Sequence, residues 1–426
     1  MDNSSQQKQL KSEKAFFYGW FVAIACFITL IISGITYYCF GVFFKPLQDE
    51  FGWDRALTSS AYTIFLLVYA ASSYIVGGLA DRYGPRLVLA GGALLLSGGF
   101  ALCSQIHSIG DFYLFLALAG FGQGTLWSPP LATLQRWFIK KRGLMLGIAT
   151  AGVGVGMLII IPILSQIISA YSWRLAFISF GAGSFFFLIL CSIVMVPSPE
   201  RKGLHPYGWQ EVREPAVELG VGQHALQTAL QWRTGEAVRT KAFFMVVIIY
   251  SAVMISVNMI GAHFVRFAID IGIEQTTAAG AFGVIGGVSI LGKIVMGGTA
   301  ERIHWNWSLG ICCFAAAVVI PSLLAVRSLW MIYVCAAFYG FFYGGTIPLV
   351  PGLTGYLFGI RSLSELIGIV SGIGICVGSL GPIIAGLIFD KTGSYAVSFV
   401  LAAGTLVLAG ILAILVRSPQ KASSGK

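Results

Sequence analysis

Charge is what this chain has least of. Asp, Glu, Lys and Arg make up 10% of its 426 residues, where a soluble globular domain carries about 25%. Polar segments are equally scarce, and the one long hydrophilic stretch runs from Pro197 to Lys241. Together these shortages exclude a conventional water-soluble protein. The eight cysteines show no metal-ligand spacing and all fall within apolar runs, where free thiols pack as small hydrophobes. No nucleophile–base set and no pair of carboxylates lies inside those runs, so neither an enzyme nor a bound metal or cofactor is expected. Residues 1–15 are polar, and the first apolar run is too long for a signal-peptide core, so no cleaved leader is expected.

Hydrophobic sequence fills the space instead, at 57% of residues with a mean hydropathy of +0.84. Runs of about 20 residues, long enough to cross a bilayer, recur from Phe16 to Val416. Twelve spans are predicted, the first at 16–44, the fourth at 112–135, the eighth at 276–299 and the eleventh at 363–389. The hydrophilic stretch divides them six and six. It is too short for a convincing core of its own, so a linker is expected rather than a folded domain. The predicted organisation is a tail at 1–15, a six-helix bundle at 16–196, a linker at 197–241, a second bundle at 242–416 and a tail at 417–426.

A net charge of +10 would suit a nucleic-acid partner until the charges are placed. With the N-terminus inside, twenty of the 27 Lys and Arg residues fall in cytoplasmic segments, six outside, and Lys293 within a span. The positive-inside rule then puts both termini in the cytoplasm of a plasma (inner) membrane protein, with the lipid bilayer and not nucleic acid as partner.

A repeat relates the halves. Gly77-Gly78-Leu79-Ala80-Asp81-Arg82 recurs 220 residues later as Gly297-Gly298-Thr299-Ala300-Glu301-Arg302. Gly120, Phe121 and Gly124 map onto Gly340, Phe341 and Gly344, and Gly152, Gly154 and Pro162 onto Gly372, Gly374 and Pro382, by the same offset. One shared offset across three helix pairs indicates tandem duplication, the plan of two-bundle carriers. Glycines four apart (Gly152/Gly156, Gly374/Gly378) predict close helix contact. None of the Gly-x-Gly runs sits between a strand and a helix, so a dinucleotide site is rejected. Pro129, Pro130, Pro348 and Pro351 predict loosened fourth and tenth helices beside a cavity.

Lys293 is the most informative residue. It lies eight positions before Glu301 at the end of the eighth span, which at 1.5 Å per residue places it ~12 Å deep. A lysine there costs at least ~2.5 kcal/mol, so it should face a wet cavity or a counter-charge. Its side chain is too short to snorkel that far. Under the repeat its counterpart is Ser73, making the cation a one-sided addition.

The stretch from Gly77 to Arg86 (GGLADRYGPR) resembles the major facilitator signature between helices 2 and 3. Tyr18-Gly19-Trp20, with Arg136 to Gly156 (RWFIKKRGLMLGIATAGVGVG), resembles the monocarboxylate transporter group and its bacterial oxalate–formate antiporter relatives. The resemblance runs from Tyr18 to about Arg417 and implies an all-α membrane protein with twelve transmembrane helices in two pseudo-symmetric six-helix bundles. It implies gating at Asp81 and Arg82, with Glu301 and Arg302 as the second copy, and a central site where the helix 8 cation binds the substrate carboxylate. Relatives often have Arg at that position. Animal monocarboxylate transporters carry an aspartate where this chain has Ser289, which puts an identical proton coupling in doubt. Oxalate carriers use a second basic residue in helix 11, and residues 363–389 contain no Lys, Arg or His. One buried cation suits one carboxylate.

The supporting candidates are His263, Asn258, Tyr339, Tyr343 and Gln123. His263 could titrate near neutral pH or serve as a packing histidine. Asn258 could share its face. Tyr339 and Tyr343, four apart, could donate to a carboxylate, and Gln123 matches Tyr343 under the repeat. Tyr37, Tyr38 and Tyr62 are expected in the interfacial aromatic belt, and Arg266 with Asp270 as a solvated pair. The expected protein is a monomeric secondary transporter of a lactate- or pyruvate-like monocarboxylate, with a proton co-transported. An organic-anion exchanger and a transporter-like membrane sensor are the alternatives.

Overall fold

A computed structural model describes residues 17–211 and 231–419. Residues 1–16, part of the linker (212–230) and most of the C-terminal tail (420–426) lie outside the described residues. Apolar sequence of this length satisfies its backbone only as helix once water is excluded. In the first half α1 runs Gly19–Tyr38 and, after a break at Cys39, Phe40–Phe51; α2 is Arg55–Tyr83 and α3 Pro85–Leu102. Then α4 comprises Ile109–Gln123 and Ser128–Trp137, α5 comprises Arg142–Val155 and Ile161–Ala170 joined by a π-helical turn at Gly156–Ile160, and α6 is Trp173–Val194. The second half holds α7 (Lys241–Asp270), α8 (Gln275–Ile303), α9 (Trp305–Ser322), α10 (Leu329–Phe358), α11 (Leu363–Gly378 and Leu380–Thr392) and α12 (Ala396–Leu415). No strand occurs among the described residues beyond one bridge, Phe138 to Tyr207.

Eleven of these stretches are long and apolar enough to cross a membrane. The twelfth, α4, falls short because it breaks at Gly124–Trp127. Prolines 129 and 130 open the segment that follows, where a missing N–H is harmless. Loosening was expected of α10 as well, but it stays continuous through Pro348 and Pro351. Short polar loops end the helices by ordinary capping. Asp54 accepts from Leu57 N at 2.6 Å, Ser108 and Asp111 form a capping box, and Ser172 and Thr240 cap α6 and α7.

Glycine lets the helices touch. A Cβ on Gly152 or Gly156 would lie 2.5 or 2.4 Å from the carbonyls of Phe27 and Ile31 in α1, and one on Gly374 would strike the Tyr250 ring of α7. Between the halves, α5 packs along α8 and α2 along α11. A Cβ on Gly147 would sit 2.3 Å from the Lys293 carbonyl, and one on Gly368 would sit 2.2 Å from the Ser73 carbonyl. The described parts of the linker are docked, not free. Tyr207 N–H donates to Trp137 O (2.9 Å), the Tyr207 carbonyl accepts from Ile139 and Lys140, and Trp232 N–H donates to Phe358 O (3.1 Å). Glu211 beside Lys140 holds that ammonium's pKa above the ordinary lysine range, through their hydrogen bond first and their charges second.

Candidate functional site

The face where α1 begins and α12 ends is sealed by two related contacts. The Asp81 carboxylate accepts from Arg136 Nη2 (2.5 Å), from Glu365 N (2.9 Å) and from Ser364 N (3.4 Å), so a residue at the end of α2 caps the start of α11 in the other half. Glu301, at the end of α8, accepts from the backbone N–H groups of Lys141, Gly143 and Leu144 (3.1, 3.1 and 3.4 Å) at the start of α5. Each acid therefore satisfies orphan N–H groups at a positive helix end. Arg136 also donates to Ile360 O, tying the halves a second time. Of the expected gating residues, Asp81 and Glu301 bridge the halves. Arg82 is exposed and lies over the neighbouring Tyr83 ring, and Arg302 is exposed, so neither spans the seam. The cation that does is Arg136, the first residue of the Arg136–Gly156 motif, which was not among the expected gating residues.

Lys293 faces the seam at mid-depth, 3% exposed. Its Nζ donates to Ser289 Oγ at 3.3 Å, and the Ser289 hydroxyl donates in turn to Gly286 O. None of the ion pairs among the described residues includes it. Two small cavities of about 100 and 90 Å³ meet at this amine, sharing Lys293, Asn258, Tyr38 and Tyr343. The first reaches Ser289 and Tyr339 between α5, α8 and α10. The second extends toward Gln123, Trp127 and Tyr250. A cleft of about 540 Å³ between the halves opens on the face opposite the Asp81 seal and reaches Tyr38 and Asn258. Those two residues line all three spaces and form the neck between cleft and chamber.

The structure thus gathers Lys293, Ser289, Asn258, Tyr339 and Tyr343 around one space. The Tyr339 ring stacks on Tyr343 at 5.8 Å, and its buried hydroxyl makes no hydrogen bond. Gln123 lines the chamber with its amide already engaged: Oε1 accepts from Thr36 (2.6 Å), and Nε2 donates to the Ser33 hydroxyl (2.9 Å) and carbonyl. It holds α4 to α1. His263 stands apart. Its Nε2 is bonded to Pro382 O at 3.0 Å, its ring packs beside Tyr395, and it lines none of the three spaces. Arg266 and Asp270 form the expected surface pair.

Two expectations are corrected. Tyr37, Tyr38 and Tyr62 do not form a lipid-facing belt; they line the chamber and cleft, and Tyr62 Oη donates to Tyr37 O. The cause is the length of α1, which continues past Cys39 to Phe51, so Tyr37 and Tyr38 lie well below its outer end. Of the eight free cysteines, Cys376 is exposed and lines the cleft, and Cys335 is half-buried.

Twelve helices in two repeats, packed around one buried cation, define a two-bundle membrane carrier. The chain belongs to the Major Facilitator Superfamily, whose family model matches residues 26–327 and 306–426. It is a transporter and not an enzyme. It is 27% identical to monocarboxylate transporter 12 of Xenopus laevis, covering 93% of this chain and 88% of that one. It is 26% identical to the oxalate:formate antiporter of Oxalobacter formigenes, covering 80% and 78%. Solved structures share the fold: the human organic anion transporter MFSD10 superposes with a TM-score of 0.72 at 12% identity, covering 93% and 99%. The transporter FucP in its outward conformation gives 0.69 at 14% identity, covering 92% and 97%.

Proposed function

We propose that this protein carries a small monocarboxylate across the inner membrane by alternating access, with Lys293 as the anion site and a proton moving with the substrate. The supporting observation is the Lys293 ammonium itself, buried at the seam with a serine as its hydrogen-bond partner and no carboxylate paired to it. A buried, unpaired charge makes closure costly, and a bound carboxylate removes that cost. The excess of basic residues on that face supports a cytoplasmic Asp81 seal, and on this reading the cleft faces outward and the anion enters past Tyr38 and Asn258. Neutralising Lys293 then favours closure of the outer ends and release of the Asp81 and Glu301 caps. The tandem repeat supports two bundles, 16–196 and 242–416, rocking about this site, each monomer complete in itself.

The similarity to monocarboxylate transporter 12 supports this cargo. The test is uptake of labelled lactate into proteoliposomes. Lys293→Ala should abolish saturable uptake while the protein remains folded in the membrane, and undiminished uptake by that variant would remove the assignment. An inward proton gradient should drive uptake without internal anion. A requirement for internal anion, with no response to pH, would identify an exchanger instead.

A further inference from the structure

We infer that the substrate of this site is a monocarboxylate with an aromatic body, an arylacetate-like acid, and that the two- and three-carbon acids are weaker ligands. This rests on the reading of Lys293 as the carboxylate site and refines it. Besides Tyr38 and Tyr343, four aromatic side chains line the second cavity with Lys293: Tyr37, Tyr69, Trp127 and Tyr250, together with Met254 and Ile375. They come from both halves, α1, α2 and α4 on one side and α7 on the other, so a ring held here would be enclosed as the halves close.

Two polar groups of that wall are committed to the protein. The Gln123 amide is fully bonded to Ser33 and Thr36, and Trp127 Nε1 donates to Ser371 Oγ at 3.1 Å. The lining is otherwise mainly apolar, though it also carries the Tyr37, Tyr69 and Tyr250 hydroxyls, and its rings suit offset or edge-on contact with another ring. Apart from Lys293, no Lys, Arg or His lines either cavity, so nothing there would pair with a second carboxylate. A lactate-sized acid at Lys293 would leave the aromatic wall in contact with water. A ring attached to the carboxylate by one carbon would displace that water and cover apolar surface.

The experiment compares phenylacetate with acetate and lactate on the full chain in proteoliposomes, by uptake of each labelled acid and by thermal stabilisation. Phenylacetate should have an apparent affinity about tenfold or more above acetate, the equivalent of one well-packed ring contact. Tyr250→Ala should lower the phenylacetate-to-acetate affinity ratio about fivefold or more, and Tyr250→Phe, which keeps the ring, should preserve it. Equal affinities for the three acids, or a Tyr250→Ala variant that weakens all three alike, would overturn the inference. Lactate uptake that depends on Lys293, with no response to phenylacetate, sinks the aromatic body and leaves the carboxylate site standing. Phenylacetate binding unchanged in Lys293→Ala sinks both.

Discussion

The two halves of this molecule repeat one another at almost every contact that joins them and differ at the one that gives the site its charge. Ser73 and Lys293 occupy equivalent positions, and each offers its backbone carbonyl to a glycine of the opposite half, Gly368 or Gly147. The Ser73 hydroxyl is satisfied by its own helix, bonding Tyr69 O at 2.8 Å. Among the described residues the Lys293 ammonium has Ser289 alone. Under the proposed function, shared geometry serves the rocking of the bundles, and asymmetric chemistry serves the cargo. The seal follows the same rule in a milder form, since Asp81 and Glu301 both cap a helix and Asp81 alone also holds an arginine.

Breaking the asymmetric position should have the largest effect. Lys293→Ala is expected to lower carboxylate uptake about 100-fold or more, while Ser73→Ala, its counterpart, should stay near the parent rate in the same assay. Next comes the seal. Asp81→Asn removes the partner of a largely buried arginine and should destabilise the state sealed at this face by about 3 kcal/mol. Glu301→Gln weakens only a helix cap and should cost about 1 kcal/mol. Cys376 reads both, because its thiol lines the open cleft: labelling by a membrane-impermeant maleimide should slow in both variants, more in Asp81→Asn. The reverse order would break the comparison.

Gly147→Ala and Gly368→Ala sharpen it from the symmetric side. Their new methyl groups meet equivalent carbonyls at 2.3 and 2.2 Å, so each should slow Cys376 labelling to the same extent, for a cost of about 1–3 kcal/mol. The smallest effect is expected at the turn after the repeated motif. Gly84 adopts φ +93° and its counterpart His304 keeps φ +67°, both with ψ 152°, a conformation open in practice only to glycine. His304→Gly should stabilise the protein by about 1 kcal/mol and Gly84→His destabilise it by a similar amount, measured as thermal unfolding in detergent.

Much of this was legible in the sequence because lipid imposes strict rules. Spans, their number and the duplicated halves follow from hydropathy and one offset, and Lys293 stands out because charge at that depth is expensive. Tyr37 and Tyr38 were misplaced because a run of apolar residues does not announce where its helix ends. The break at Cys39 and the continuation through the amphipathic segment to Phe51 move both tyrosines inward. Arg136 was hidden for another reason. It sits among Lys140, Lys141 and Arg142, and a basic cluster at a helix end reads as topology until packing shows which member turns toward Asp81. His263 drew attention as a titratable group, and only the bond to Pro382 shows that its ring nitrogen is already engaged. Sequence shows what must be paid attention to at depth; which side of a helix it faces is decided by neighbours from the other half.

The docking of the connecting segment carries one more consequence. Tyr207 fastens its first part to the end of α4, and Trp232 fastens its last part to the end of α10, so each piece is bound to its own half. The interface that holds the halves together is made elsewhere, by backbone laid against glycine along α5 and α8 and along α2 and α11. Covalent continuity between residues 211 and 231 is therefore expected to be dispensable for assembly. Synthesised as two separate polypeptides divided there, the molecule should reconstitute in the membrane as a working pair, much as its duplicated ancestor would have done before the two copies were fused.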